Sequence, residues 1–393
     1  MLHRDHAGDH AGTLDPPAPD PLADKEGSEA ETLEARPDLR SLRMESLESI
    51  VEELGERPFR AKQISRWLHQ KGVRSFGQMS DLSLAFRTSL EERARIGSMS
   101  VRRREVARDG TRKYAFATDT GHVVESVYIP DASTEGRNTL CISSQVGCAI
   151  DCKFCLTASL GLIRNLSAGE IVEQLTRVKE DLAADFGASA PGVHNVVMMG
   201  MGEPLQNYVQ LVRALAILQD DAGHKLSSRR ITVSTSGLAP RIPRLGRDTK
   251  VNLAVSLNAT TDEVRSRIMP INKRYDIASL LAACREFPLP ERRRITFEYV
   301  LLAGVNDSDE DARRLVGLLR GLRAKVNLIP FNEHPYSPFK RPLDAKVARF
   351  QDLVASRGLS VFVRTPRGDD ISAACGQLGV EVQSPKRLAV LSA

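Results

Sequence analysis

Apolar residues recur every three to four positions in three early stretches, SLESIVEELG (46–55), FRAKQISRWLHQKG (59–72) and DLSLAFRTSLEERARI (81–96), each followed by a glycine or a polar break. That spacing lines one face of a helix, so a small helical domain is expected over residues 41–100. The period then shortens. Residues 101–135 carry β-prone runs punctuated by Asp109-Gly110 and Thr120-Gly121, the pattern of a short β-extension or linker. From residue 136 to about 385, seven apolar strands (NTLCISS, VHNVVMMG, RRITVSTSG, VNLAVSLNA, RRITFEYVLL, KVNLIPF and LSVFVRT) alternate with helical stretches such as SAGEIVEQLTRVKEDLAADF. Such apolar strands belong to a parallel sheet covered by helices, and right-handed crossovers curl it into a full or partial α/β barrel. Functional side chains then collect at the carboxyl ends of the strands. A short tail, 386–393, closes the chain.

Composition sharpens this picture at the ends of the chain. Residues 1–40 hold five prolines, four Lys/Arg and ten Asp/Glu with few bulky apolar side chains, which predicts a disordered acidic leader. Its His3, His6 and His10 read as solvated imidazoles. With a net charge of +5 overall, the rest of the chain is strongly basic. Residues 43–113 hold sixteen Lys/Arg against ten Asp/Glu, interleaved with Phe59, Trp67, Phe76 and Phe86. The aromatics suit a helical core, and the arginines suit a face that contacts phosphates. No run approaches the roughly 18 apolar residues of a membrane span and the N-terminus lacks a signal-like stretch, so a cytoplasmic protein without a membrane partner is expected.

Three of the six cysteines crowd into Cys148-Ala-Ile-Asp-Cys152-Lys-Phe-Cys155, directly after the first strand of the alternation. Crowded thiols without a secretory signal point to metal or redox chemistry. A structural zinc site wants four closed ligands, and no second knuckle lies nearby. Three thiolates suit an iron–sulfur cluster with one open iron, hence catalysis; zinc and core thiols are the alternatives. Elsewhere, Gly200, Gly202 and Glu203 end a strand, where glycines form a turn or admit a ligand. Glu125 interrupts an apolar run, where an unpaired carboxylate is costly. Cys141 and Cys375 read equally as buried packing residues or as reactive thiols, and Cys284 reads as core.

The cysteine motif, with Phe154 before its third thiol, resembles that of radical S-adenosylmethionine (SAM) enzymes. Together with VVMMGMGEPLQN, ITVSTSG, AVSLNA, IMPINKRY, NLIPFN and VRTPRGDDISAACGQLG, and with PFRAKQISRWLHQKGV in the helical region, it resembles the RlmN/Cfr family of RNA adenine methyltransferases over residues 45–380. The RlmN branch is the better match. The resemblance implies an α/β fold, a partial (β/α)6-type radical SAM barrel with a small N-terminal RNA-binding helical domain and a short β-extension. It implies C2 methylation of an adenine in 23S rRNA, with tRNA as a second substrate, flavodoxin or ferredoxin as electron donor, and a monomer.

By the same resemblance Cys148, Cys152 and Cys155 hold a [4Fe–4S] cluster whose open iron chelates SAM. Gly202 and Glu203, Ser234, the run Ser256, Leu257 and Asn258, and Asn332 surround that cofactor. Cys375 carries the transferred methyl group, Cys141 is the thiol that resolves the protein–RNA intermediate, and Glu125 accepts the proton from the substrate carbon. Asn258 departs from the histidine common in the family, and NEHPYSPFKRP after the sixth strand departs from the usual loop. Rival readings are methylation at adenine C8 with the same cysteines, a non-catalytic iron–sulfur RNA-binding protein, and a radical enzyme that activates another protein. Retention of Cys141, Cys375 and Glu125 disfavours the binder; the basic helical domain and second thiol pair disfavour the activator.

Overall fold

The computed structural model describes residues 36–131 and 136–379. The leader up to residue 35 with its three histidines, and the expected tail, lie outside the described residues.

The helical region forms where the apolar period placed it. Helices α1 (Met44–Glu53), α2 (Phe59–Ser65) and α3 (Leu84–Arg93) pack Leu47, Val51, Ile64, Leu68 and Leu90 into one cluster, and Phe76 and Phe86 are buried with them. Phe59 is half exposed, with the Arg60 guanidinium over its ring, and Lys71 sits over the ring of Trp67 at 3.6 Å. Order begins earlier than composition suggested. Leu39–Ser41 is already a 3-10 turn capped by Asp38, and Arg40 is among the largest fully buried side chains. The leader therefore ends before residue 37 rather than at 40. The reason is a set of distant acceptors: Arg40 donates to the carbonyls of Leu68 (2.6 Å) and Val73, which follow α2, and of Gly97 (2.7 Å), which follows α3.

Ten strands form one sheet: β1 (Ser100–Val106), β2 (Arg112–Ala117), β3 (Val123–Ile129), β4 (Thr139–Cys141), then, after the separate pair β5 (Gln145–Gly147) and β6 (Leu162–Asn165), β7 (Asn195–Met198), β8 (Ile231–Thr235), β9 (Asn252–Ser256), β10 (Ile295–Leu301), β11 (Ala324–Pro330) and β12 (Val361–Val363). All seven apolar strands of the alternation are present and pair in parallel in chain order. Between them run α4 (Leu156–Ser159), α5 (Ala168–Phe186), α6 (Tyr208–Gln219), α7 (Arg241–Asp248), α8 (Asp262–Ile268), α9 (Ile277–Glu286), α10 (Asp309–Leu318) and α11 (Asp344–Ala355). Six strands, β4 and β7 to β11, complete the partial barrel, and β12 extends its open edge. Over the described residues 101–131 the expected β-extension is what forms. Strands β1 to β3 continue the same sheet antiparallel, with Val127 of β3 opposite Cys141 of β4.

Helix α5 joins the two regions. A capping box of Ser167 and Glu170 starts it, and Glu173 sits between Arg40 (3.7 Å) and Arg177 (2.9 Å), all three fully buried. Arg177 also donates to the Gly72 carbonyl at 2.9 Å. Against this network lie His69 and His224, both buried, with ring centroids 5.8 Å apart. Burial, then the nearby Arg40 charge, lowers His69 to about 3; burial and Lys179 hold His224 well below its ordinary value. Neither ring nitrogen of His69 has a hydrogen-bond partner.

These imidazoles stay neutral when folded but take up protons when unfolded below about pH 6.5, so their contribution is complete at neutral pH and lost as pH falls towards 3. Apoprotein stability is expected to drop between pH 7 and pH 5 by up to about 1.4 kcal/mol per pH unit for each histidine. His69→Leu should flatten that slope, as read from thermal melts followed by Trp67 fluorescence.

Candidate active site

The carboxyl ends of the parallel strands open onto a cleft enclosing about 1020 Å³, a size that accommodates a nucleoside-sized ligand. Cys148, Cys152 and Cys155, Gly202 and Glu203, Ser234, Ser256, Asn258, Asn332 and Cys375 all line it. The topology thus gathers ten of the sequence-predicted residues from segments over two hundred residues apart. Leu257, Cys141 and Glu125 do not line the cleft.

The cysteine loop runs from β5 into α4. Gly147 turns at φ 76°, and a Cβ there would meet the Gly161 carbonyl, so the loop can fold back only at glycine. Phe154 is buried against Met269 and Phe331, which orients the thiols on either side of it towards the cleft. Burial pushes the Cys148 thiol up to about 12 and Cys152 well above its ordinary value, and neighbouring thiols add to both. Thiols in such a place ionise when cations compensate them, which suits binding to iron. Among the described residues no three His, Cys, Asp or Glu side chains converge on a point that would hold one ion. A [4Fe–4S] cluster needs no such convergence, because each thiolate takes a different iron. The donor set therefore fits a cluster with one iron left open.

Gly202 has φ 99°, and a Cβ there would come within 2.5 Å of the Gln145 side chain. Next to it Glu203 is fully buried, accepting from the backbone N–H of Leu205 (3.0 Å) and Ser236 (2.6 Å). Burial raises its carboxyl, and these donors partly reverse the shift. Asn258 adopts φ 57°, a conformation asparagine tolerates, and accepts from Val300 N–H at 2.8 Å while donating to the Met269 sulfur. Leu257 points into the core; only its backbone belongs to this rim, its carbonyl accepting from Arg265 at 3.0 Å. Alternation along β9 explains the difference, since the cleft takes Ser256 and the opposite face takes its neighbour.

Cys375 follows a turn at Asp369–Ile371 and faces the cleft, its carbonyl accepting from Asn332 at 3.1 Å. Although surrounded by protein, it presents accessible surface to the cavity. Burial pushes its thiol up to about 11, with Arg364 pulling down. Cys141, buried at the end of β4, is pushed up to about 12 by burial and then by the Cys375 charge. The two are free thiols within electrostatic reach of each other. Glu125 is fully buried on β3, with Oε2 accepting from the Gly379 N–H at 2.6 Å. Its carboxylate fastens the segment that follows Cys375 instead of facing the cleft.

Sequence reasoning missed three charged groups here. Arg265, fully buried, donates to the carbonyls of Leu257, Ser256 and Ser236 and to Asn272, and lies near Cys152. Arg364 and Glu298 line the cleft beside Cys375. Glu298 carried the same signal as Glu125, an acid inside an apolar strand, whereas nothing in its flanks distinguishes Arg265 from surface arginines.

Two family models match the chain: the ribosomal RNA large subunit methyltransferase N-terminal domain over residues 37–96, and the radical SAM superfamily over residues 142–316. The dual-specificity RNA methyltransferase RlmN of Geobacter sulfurreducens is 53% identical over 341 residues, 87% of this chain and 91% of the relative. That of Anaeromyxobacter sp. (strain Fw109-5) is 50% identical over 368 residues, 93% of both chains. The crystal structure of a radical SAM methyltransferase from Sphaerobacter thermophilus superimposes with a TM-score of 0.80 at 43% identity, covering 87% of this chain and 99% of that one.

Arg364 is the cation that favours the Cys375 thiolate, so removing it raises that thiol further. Arg364→Leu is expected to slow iodoacetamide alkylation of Cys375 at pH 8 by roughly tenfold per unit of the rise, measured by peptide mass spectrometry.

Proposed function

The chain belongs to the RlmN family of radical SAM RNA methyltransferases, and from that premise we propose that it methylates C2 of an adenine in 23S rRNA and in tRNA by way of S-methylated Cys375. The observation that carries this reading is that Cys375 lines the same cleft as the three-cysteine motif, with the free thiol of Cys141 buried behind it within electrostatic reach. A protein that only bound RNA has no use for both sets of thiols.

Cys148, Cys152 and Cys155 would hold the cluster, which would supply one-electron reducing chemistry to SAM bound beside it. Glu203 receives the SAM ammonium group on its remaining lone pairs, and its burial strengthens that contact. Ser234, Ser256, Asn258 and Asn332 complete the polar lining around SAM. Cys375 acts first as a nucleophile towards SAM, which requires its thiolate and therefore Arg364. Glu125 serves as proton acceptor once Gly379 releases its carboxylate, so the step is tied to movement of the segment bearing Cys375. The Cys141 thiolate then attacks the Cys375 sulfur and breaks its bond to the RNA-borne carbon; the bonding pair leaves with that carbon, which takes a proton to become the methyl group, and cellular thiols reopen the resulting disulfide. That reopening suits a reducing cytoplasm; among the described residues no helix is long and apolar enough to cross a membrane.

The helical region serves as the RNA-binding accessory domain, its exposed Phe59 and half-buried Trp67 backed by Arg60 and Lys71 and continued by the exposed arginines of β1. A flavodoxin or ferredoxin is the fitting electron donor, and a monomer suffices because one chain carries every group named.

Anaerobic incubation of the reconstituted protein with reductant, SAM and RNA is expected to yield 2-methyladenosine in rRNA and tRNA digests by mass spectrometry. Formation of 8-methyladenosine, or of no methylated product with an intact cluster, would overturn the reading. Cys375→Ala should reduce methyl transfer to background while 5′-deoxyadenosine still forms; undiminished methylation would sink the two-cysteine route.

A further inference from the structure

Glu298 lies on β10 in register with Ser256 of β9 and Asn327 of β11, so three polar side chains form one row across the sheet, of which Ser256 and Glu298 line the cleft. It is 5% exposed. Oε1 accepts from Asn327 Nδ2 at 3.0 Å, and Oε2 has no hydrogen-bond partner. A buried carboxylate oxygen without a donor is costly, and in a cleft the missing donor is the natural property of a ligand. Beside it, among the described residues, the Arg364 side chain reaches no protein oxygen, and its one polar contact is the Met199 sulfur at 4.0 Å. Both residues sit within electrostatic reach of Cys375. The reacting sulfur therefore has, on one side of it, an acceptor lacking a donor and a donor fork lacking an acceptor.

We propose that Glu298 and Arg364 together read the Watson–Crick edge of the target adenine, Glu298 Oε2 accepting from the exocyclic N6–H and the Arg364 guanidinium donating to N1. The assignment rests on the adenine-methylating function given above. Its chemistry follows from the ring: C2 adjoins N1 and N1 adjoins C6, so a base with C2 against Cys375 turns its N1 and N6 towards the neighbouring side chains. Guanine presents an oxygen at position 6 and a proton on N1, and both oppose this pair. A base drawn out of its stack is recognised on that edge in enzymes that modify bases. Both Glu203 oxygens already accept backbone N–H groups at the end of β8 and after Gly202, whereas Glu298 Oε2 on the same cleft accepts none among the described residues, so the two acids differ in what they offer a ligand.

The test uses cluster-loaded protein without reductant and an RNA hairpin carrying the methylated site, with either adenosine or purine riboside, which lacks the 6-amino group, at that position. Fluorescence anisotropy should show adenosine preferred by about tenfold or more in wild type. Glu298→Ala should bring the two hairpins to nearly equal affinity, and Glu298→Gln, which returns an acceptor oxygen, should restore part of the preference. A purely structural role weakens both hairpins alike and leaves their ratio unchanged, which would overturn the proposal. Equal binding of the two hairpins by wild type overturns it with no variant needed. Weakened SAM binding in Glu298→Ala with the ratio intact assigns Glu298 to SAM and also overturns it. Adding reductant separates the layers: no methylation of the adenosine hairpin refutes the function, whereas methylation with an unaltered ratio refutes this assignment alone.

Discussion

A buried guanidinium holds the rim of the cleft together. Arg265, inaccessible to solvent, has a charge that must be answered by acceptors, and the chain provides them where the sheet runs out: the carbonyls of Ser236 after β8 and of Ser256 and Leu257 at the end of β9, with Asn272 taking a further donor. Strand ends have carbonyls with no partner in the ladder, so one cation satisfies several at once and sets the two strands at a defined separation. The consequences reach the chemistry. Ser236, held from its carbonyl side, gives its N–H to Glu203, and the left-handed turn at Asn258 begins one residue past the Leu257 carbonyl. The same charge stands near Cys152, where it favours the thiolate.

A second constraint comes from the sheet being one object. Because β3 pairs with β4, Glu125 and Cys141 belong to the same wall, and the segment after Cys375 returns to that wall through Gly379. The Leu156 N–H donates to the Gly376 carbonyl at 2.8 Å and Thr157 Oγ1 to the Leu378 carbonyl at 2.7 Å, so the cysteine loop and the Cys375 segment brace each other. Cys375 is thus positioned by two elements that also carry the three-cysteine motif and Glu125. Helix α5 ties in the helical region through Glu173, shared between Arg40 and Arg177. With that triad fully buried, the basic face keeps a fixed orientation to the cleft, which an enzyme that must present one nucleotide of a large RNA requires.

The parts of the molecule that were legible in advance share a physical basis. Periodicity reports which face of an element is buried, so the three early helices and all seven parallel strands could be read from it. Thiol spacing reports local chemistry, so Cys148, Cys152 and Cys155 were found together. One boundary shifted where a long-range partner overrode composition: Arg40 looked like part of a polar leader until the carbonyls around it were in view, whereas the β-extension was legible in its turn signals and only its pairing with β4 had to come from the fold. Leu257 illustrates a finer limit, since a motif names three neighbours while strand alternation lets the cleft take only alternate side chains.

Sequence alone, then, was sufficient for the three early helices, the seven parallel strands, the thiol motif and the family to which they belong, because each depends on neighbours within a few positions, whereas the separate β5–β6 pair went unread. The meeting of Cys375 with Cys141 and Arg364, the tether from Glu125 to Gly379, and the unpartnered oxygen of Glu298 beside the reacting sulfur belong to the folded chain. Burial and charge in the cleft arise from side chains brought together across the sheet, and no local pattern encodes which buried acid finds a donor and which is left for a ligand.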